Sequence, residues 1–296
     1  MANYLIIFSL LLIIVIYLFI CNFAIFPLAS GCVDPGKTAE DNLPNIPEKN
    51  DYEYVAAMVE PRTDNLVETI RTFIDKLPSE THFQIYHGTK NKDLLEITFS
   101  NEIKNNKISL WNMGVDNLTI KGYNHLLTTE KFWNSMRSEN VLIFQTDTTP
   151  CSGSKYDFKD FVKYDFIGAP NNELVNNFVH FYFLGRGQKV DYRNFMNGGL
   201  SFRKKSKMIE AIQKYPWDGR MPEDSWFCVA LYKMNANLPS REEARNFSFE
   251  SEELLSTPWG LHKPRKEIEK LKQMCPEVKN IPVVKAHSDF RSLYLF

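Results

Sequence analysis

The sequence predicts an α/β fold: a mostly parallel central sheet with helices on both faces. Two observations in the body of the chain carry this. Short apolar runs bounded by turn residues alternate with segments of helical spacing through the first half. One of those runs, Val141-Leu-Ile-Phe-Gln-Thr-Asp-Thr148, reads as a buried strand closed by a lone carboxylate, Asp147. In an open α/β sheet ligands bind beyond the carboxyl ends of the strands, so Asp147 stands where a site is expected. An aspartate in that position also serves as an ordinary turn former.

The elements follow in order. Tyr54–Val59 is a short apolar strand. Asn65–Leu77 places Leu66, Ile70, Phe73 and Ile74 on one helical face. His82–His87 alternates as a strand does, and Ile108–Met113 is another strand. Leu126–Met136 reads as one helix with Phe132 and Trp133 inward, before the strand Val141–Phe144. In the second half, Tyr164–Ala169 and Gly199–Arg203 read as strands, and Lys205–Lys214 and Glu223–Tyr232 as helices. Asn171–Asn194 is long, aromatic and polar, either a flap over a pocket or a surface loop.

The chain has 296 residues, 44% hydrophobic, enough for a sizeable core. A net charge of -1 offers no basic field for nucleic acid. Residues 1–33 carry no charged side chain, and Tyr4–Leu28 is almost wholly apolar. About 20 such residues cross a bilayer as a helix, so 1–33 is expected to be a transmembrane signal-anchor, with a cleaved signal peptide as the alternative. Residues 34–50 are polar with Pro and Gly and read as a short stem; the globular domain is expected over 51–296. Two sequons, at Asn117 and Asn246, permit glycosylation of a luminal body. Cys32, Cys151, Cys228 and Cys275 show no CxxC spacing, which argues against zinc and allows up to two disulfides.

Five segments carry polar residues that a plain scaffold does not need. Val59-Glu-Pro-Arg62 could hydrogen-bond a nucleotide through Glu60 and Arg62, or hold a surface ion pair. Gln145-Thr-Asp147 offers a carboxylate to Mg2+ or Mn2+. Asn197-Gly198-Gly199 permits close backbone approach to a ligand, or a tight turn. Pro222-Glu223-Asp224 offers a general base, or two acids at a helix start. Gly260-Leu-His262-Lys263-Pro264 offers a metal-binding imidazole and a phosphate-binding ammonium, or a surface loop.

In this order the motifs resemble the GT-A class of nucleotide-sugar-dependent glycosyltransferases, a Rossmann-like fold. They are closer still to a glycosyltransferase-like family sharing Tyr123-Asn124-His-Leu-Leu-Thr128, Tyr164-Asp-Phe-Ile-Gly-Ala-Pro170 and Asn197-Gly-Gly-Leu-Ser201 as well. The resemblance covers residues 52–264. It implies a UDP-sugar or similar donor, a glycan, protein or lipid acceptor, and Mn2+ or Mg2+ held by Asp147 and His262. Lys263 would contact the diphosphate. Val59, Glu60, Arg62 and Gln145 would lie near the nucleotide, and Asn197, Gly198 and Gly199 would line the donor sugar or the acceptor. Asp224, or Glu223, would be the base. Gln145 departs from the pattern, standing where the first acid of the metal-binding Asp-x-Asp motif usually is. That departure sustains a second expectation, a non-catalytic membrane-tethered nucleotide- or sugar-binding module. The expected location is a single-pass membrane protein of type II, with its domain in the Golgi or ER lumen.

Overall fold

A computed structural model describes residues 34–44, 50–171 and 195–282. The expected membrane anchor and the aromatic segment after Asn171 lie outside these residues. Among the described residues no helix is long and apolar enough to cross a membrane.

Six strands form the central sheet: β1 (Tyr54–Glu60), β2 (Thr81–His87), β3 (Ile108–Asn112), β4 (Asn140–Phe144), β6 (Phe166–Pro170) and β7 (Met196–Lys204). Their order is β3-β2-β1-β4-β7-β6. β7 runs antiparallel to both its neighbours, and the other five strands share one direction. The expected mostly parallel sheet is present. β1 and β2 are buried at every residue, as strands covered on both faces must be. The strand order reverses between β1 and β4, so their carboxyl ends flank a crevice at the sheet's switch point.

Helix α2 (Leu66–Lys76) follows β1, with Leu66, Ile70 and Phe73 buried as the spacing predicts. α3 (Lys92–Thr98) and α4 (Ser100–Lys104) lie between β2 and β3. The helix expected over Leu126–Met136 is two short ones, α5 (Ile120–Leu127) and α6 (Glu130–Asn134). Thr128 and Thr129 break it: the Thr128 hydroxyl donates back to the Asn124 and His125 carbonyls, and Thr129 Oγ1 caps α6 by accepting from the Phe132 N–H. α7 (Lys205–Lys214) and α8 (Glu223–Lys233) match expectation, and α9 (Arg241–Phe247) follows.

The stem needs correction. Pro35–Asp41 is a helix, α1, with Gly36 and Ala39 buried. Proline suits a first helical turn, whose N–H groups lack intrahelical partners, and here it starts a helix instead of excluding one.

Beyond the sheet lies a smaller one of β5 (Thr148–Pro150), β8 (Ser248–Phe249) and β9 (Gly260–His262), in the order β5-β9-β8. A satellite apolar cluster beside it holds Phe249, Leu254, Leu261 and Leu271 of α10 (Ile268–Met274). The cluster contains a disulfide, Cys151–Cys275, that closes over 124 residues of chain. Cys228 is buried as a free thiol.

Candidate active site

Asp147 sits in a turn beyond β4. The Thr148 N–H and hydroxyl both donate to the Gln145 carbonyl, at 3.1 and 2.6 Å. Asn65, in a left-handed conformation at φ 54°, donates through its side-chain amide to the Thr146 carbonyl at 2.6 Å. The turn is therefore gripped from within and from the loop after β1. β9 pairs antiparallel with β5, with His262 opposite Thr148, and the Lys263 N–H donates to the Asp147 carbonyl at 2.8 Å. These ladder bonds bring together two side chains 115 positions apart. Asp147 Oδ1 lies 3.6 Å from His262 Nε2, and Glu250 Oε2 lies 3.6 Å from His262 Nδ1.

Asp147 Oδ1 and His262 Nδ1 are buried without a hydrogen-bond partner. Buried polar atoms are normally satisfied, so an orphaned carboxylate oxygen facing an imidazole fits a cation ligand set. Among the described residues no group of three or more His, Cys, Asp or Glu is gathered to hold a metal. The described residues thus offer a cation two side chains here, Asp147 and His262, and the remaining ligands would be phosphate and water, as is common for Mg2+. Burial pushes the His262 imidazole down, but Asp147 and Glu250 outweigh it and hold it above its ordinary value. Lys263 has φ 42°, a left-handed backbone that a non-glycine residue seldom adopts.

Gly198 and Gly199 of β7 close the site from below. A Cβ on Gly199 would lie 2.2 Å from His262 Nε2 and 2.7 Å from Gln145 Oε1. A Cβ on Gly198 would lie 2.4 Å from Arg203 Nη2 and 2.7 Å from Glu223 Oε1. A side chain at either position would have to displace these groups, so the glycines allow the close approach. Asn197 Oδ1 accepts from the Gly199 N–H at 2.7 Å, which commits that N–H to a local bond within β7.

The other half of the site lies at the start of α8. Glu223 receives a bidentate ion pair from Arg203, at 2.8 and 3.0 Å, and both side chains are buried. The rings of Trp133, Phe166 and Phe227 surround the Arg203 guanidinium. Glu223, an expected alternative base, is therefore committed to a structural pair. Asp224 accepts from the Gly198 N–H at 3.1 Å and the Ser225 N–H at 2.6 Å. Burial and the neighbouring Glu223 carboxylate push Asp224 up to about 6, against the pull of those N–H groups and Arg203. Gly198 donates to Asp224 and its neighbour Gly199 adjoins His262, so consecutive residues of β7 border the two halves.

The remaining expected residues have quieter places. Glu60 pairs with Arg62 in a local bidentate ion pair at 2.8 Å, the alternative weighed from sequence. The Arg62 guanidinium also lies in the field of Asp147. Val59 is buried in the core. Sequence reasoning gave no role to Arg203, Glu250 or Asn65. A charged residue ending the strand Gly199–Arg203 was a signal for Arg203; Glu250 and Asn65 had none.

The family described as "Protein of unknown function (DUF5672)" matches residues 107–262, more than half of the chain and ending on His262. The chain belongs to the DUF5672 family. No curated protein matches it. Among solved structures, this DUF5672 chain is similar to the bifunctional glycosyltransferase WbbM in apo form, at 10% identity over 78% of this chain and 49% of that one, TM-score 0.43. It is similar to the apo glycosyltransferase GlyE of Streptococcus pneumoniae TIGR4, at 12% identity over 74% and 56%, TM-score 0.42. It is also similar to the mannosyltransferase PcManGT of Pyrobaculum calidifontis, solved with GDP-Man and Mn2+, at 10% identity over 70% and 61%, TM-score 0.41. The chain thus spans about half the length of the first of these and about three-fifths of the third.

Proposed function

We propose that this chain is a membrane-anchored, nucleotide-sugar-dependent glycosyltransferase of GT-A type. It would move a sugar from a donor such as a UDP-sugar to a glycan, protein or lipid acceptor. The observation that carries the reading is the meeting of Asp147 and His262 at the switch point of the sheet, with Asp147 Oδ1 buried and unpartnered. A diphosphate at this edge would lie among Arg62, the Gln145–Thr148 turn and Lys263. Mn2+ or Mg2+ would be held by Asp147 and His262. When bound, the cation neutralises charge gathering on the departing diphosphate.

The chain's own residues supply the rest. Gly198 and Gly199 let the backbone approach the donor sugar closely. Asp224 takes the proton of an attacking hydroxyl, its carboxylate held by the Gly198 and Ser225 N–H groups. Arg203 keeps Glu223 neutralised beside it, so one carboxylate acts and the other supports. For the whole chain we propose an anchor over 1–33 and a catalytic domain in the Golgi or ER lumen, type II. The Cys151–Cys275 disulfide favours an oxidising compartment.

Titration of UDP and other nucleotide diphosphates, with and without Mn2+, tests the site by binding alone. The expected result is metal-enhanced nucleotide affinity in the wild type, lost in both Asp147→Ala and His262→Ala while their thermal unfolding stays cooperative. Nucleotide affinity indifferent to metal and to both substitutions would overturn the reading.

A further inference from the structure

α1 is part of the working domain, and its contacts lead to the site. Gly36 packs against Gly122 of α5 so closely that a Cβ on Gly36 would lie 2.6 Å from Gly122 Cα and 2.8 Å from its carbonyl oxygen. Ala39 and Leu43 are buried in the main core with the sheet's own residues. Polar contacts fix the rest of the segment. Lys131 Nζ donates to the Asp41 carbonyl at 3.0 Å, and the Asn42 amide donates to the Met113 carbonyl at 3.3 Å. Glu40 Oε2 meets His125 Nε2 of α5 at 3.1 Å.

The far side of α5 faces the candidate site. Successive helical residues are 100° apart, so Asn124 projects almost opposite Gly122. Asn124 Oδ1 accepts from the Glu223 N–H at 3.4 Å, the first backbone donor of α8 and one with no partner inside that helix. The Tyr123 hydroxyl is buried without a normal hydrogen bond, beside the Gln145 side chain and in the field of Glu223, Arg203 and Asp224. α5 is thus a spacer with α1 on one face and the start of α8 on the other. A glycine-to-glycine seat fixes its depth, because no side chain lies between the two backbones to yield.

We infer that Pro35–Leu43 is a built-in clamp on the active site: seated through Gly36 on Gly122, it holds Asn124 and Tyr123 of α5 against the α8 N-terminus, so that undocking α1 slackens the catalytic half of the site. Tyr123, Asn124 and the residues of α1 are positioning residues. In sequence this segment is the link between the apolar run and the body, so tension or a partner acting on that link would act on turnover. The part about turnover rests on the transferase reading; the mechanical coupling does not.

The test uses the full chain carrying Gly36→Val, which cannot seat on Gly122, and the milder Gly36→Ala should the first fail to fold. Hydrogen exchange is followed by peptide, beside sugar transfer. Faster exchange is expected not only in residues 35–43 but also in Ile120–Leu127 and at Glu223–Phe227, with β1 and β2 unchanged. Turnover should fall about tenfold to a hundredfold through kcat, with donor KM within about twofold, as small misplacements of catalytic groups do. Faster exchange confined to residues 35–43, or propagated exchange with wild-type kcat, would overturn the clamp. A wild type without transfer on any donor would defeat the transferase reading instead, and the exchange map would still decide whether α1 supports α8.

Discussion

Asp224 and Glu223 are adjacent carboxylates with opposite fates, and the difference comes from one cation. Arg203 neutralises Glu223 within a ring of aromatic faces, while Asp224 keeps only backbone donors and is held at about 6. A base with that value is ionised above pH 6 and protonated below. Transfer should therefore rise with pH through about 6 and level off, and a rate independent of pH between 5 and 7 would remove Asp224 from the chemistry. Asp224→Asn should lower transfer 10²–10⁴-fold while donor binding persists; loss of binding as well would make the residue a structural cap. Gly199→Ala should abolish metal-enhanced nucleotide binding, because its Cβ would occupy space within 2.2 Å of His262 Nε2. Wild-type binding by that variant would mean that His262 is not used where it now sits. The sequence singled out Asp147, His262 and Asp224 by their positions beside turns and at a helix start, where each also has an ordinary turn, loop or capping role. Arg203's role was not, since one charge in a strand says nothing of its partner 20 positions on.

Elements were legible where their period was clean. The mainly apolar β1 and β4 and the amphipathic α2 lie where spacing placed them. The errors share a cause: residues that punctuate a chain also start and seat its helices. Pro35 and Gly36 read as linker, yet Pro35 opens α1 and Gly36 provides its contact surface. Thr128 and Thr129 looked compatible with one helix and split it in two. The small β5-β9-β8 sheet was invisible because its strands are two or three residues long and gain stability only from one another. It is also the element that delivers His262, and the Cys151–Cys275 disulfide secures it from behind. By the loop-entropy relation, removing a crosslink over 124 residues costs about 5 kcal/mol. Cys151→Ser should lower the unfolding midpoint by about 10–20 °C, and an unchanged midpoint would show that the satellite cluster holds without it.

At the scale of the molecule, topology explains why the site is where it is. The reversal of strand order puts the loops after β1 and β4 side by side, and the antiparallel β7 returns to the same edge with its glycine pair. The contacts that run from α1 through α5 to α8 were not readable in the sequence, because they are a matter of contact depth. The two sequons also part at this scale. Asn117 is exposed, whereas Asn246 is half-buried, with its carbonyl bonded to the Trp259 N–H and Ser248 fully buried. Secretory expression should give one glycan, removed by Asn117→Gln; a glycan on Asn246 would contradict both the fold there and this account of it. The most direct measurement is nucleotide release from a panel of nucleotide sugars by the full chain in detergent, with Mn2+, Mg2+ or chelator, beside Asp147→Ala. The account predicts metal-dependent release from one donor that chelator and Asp147→Ala both abolish. Release that survives both, or nucleotide binding without release from any donor, would contradict it.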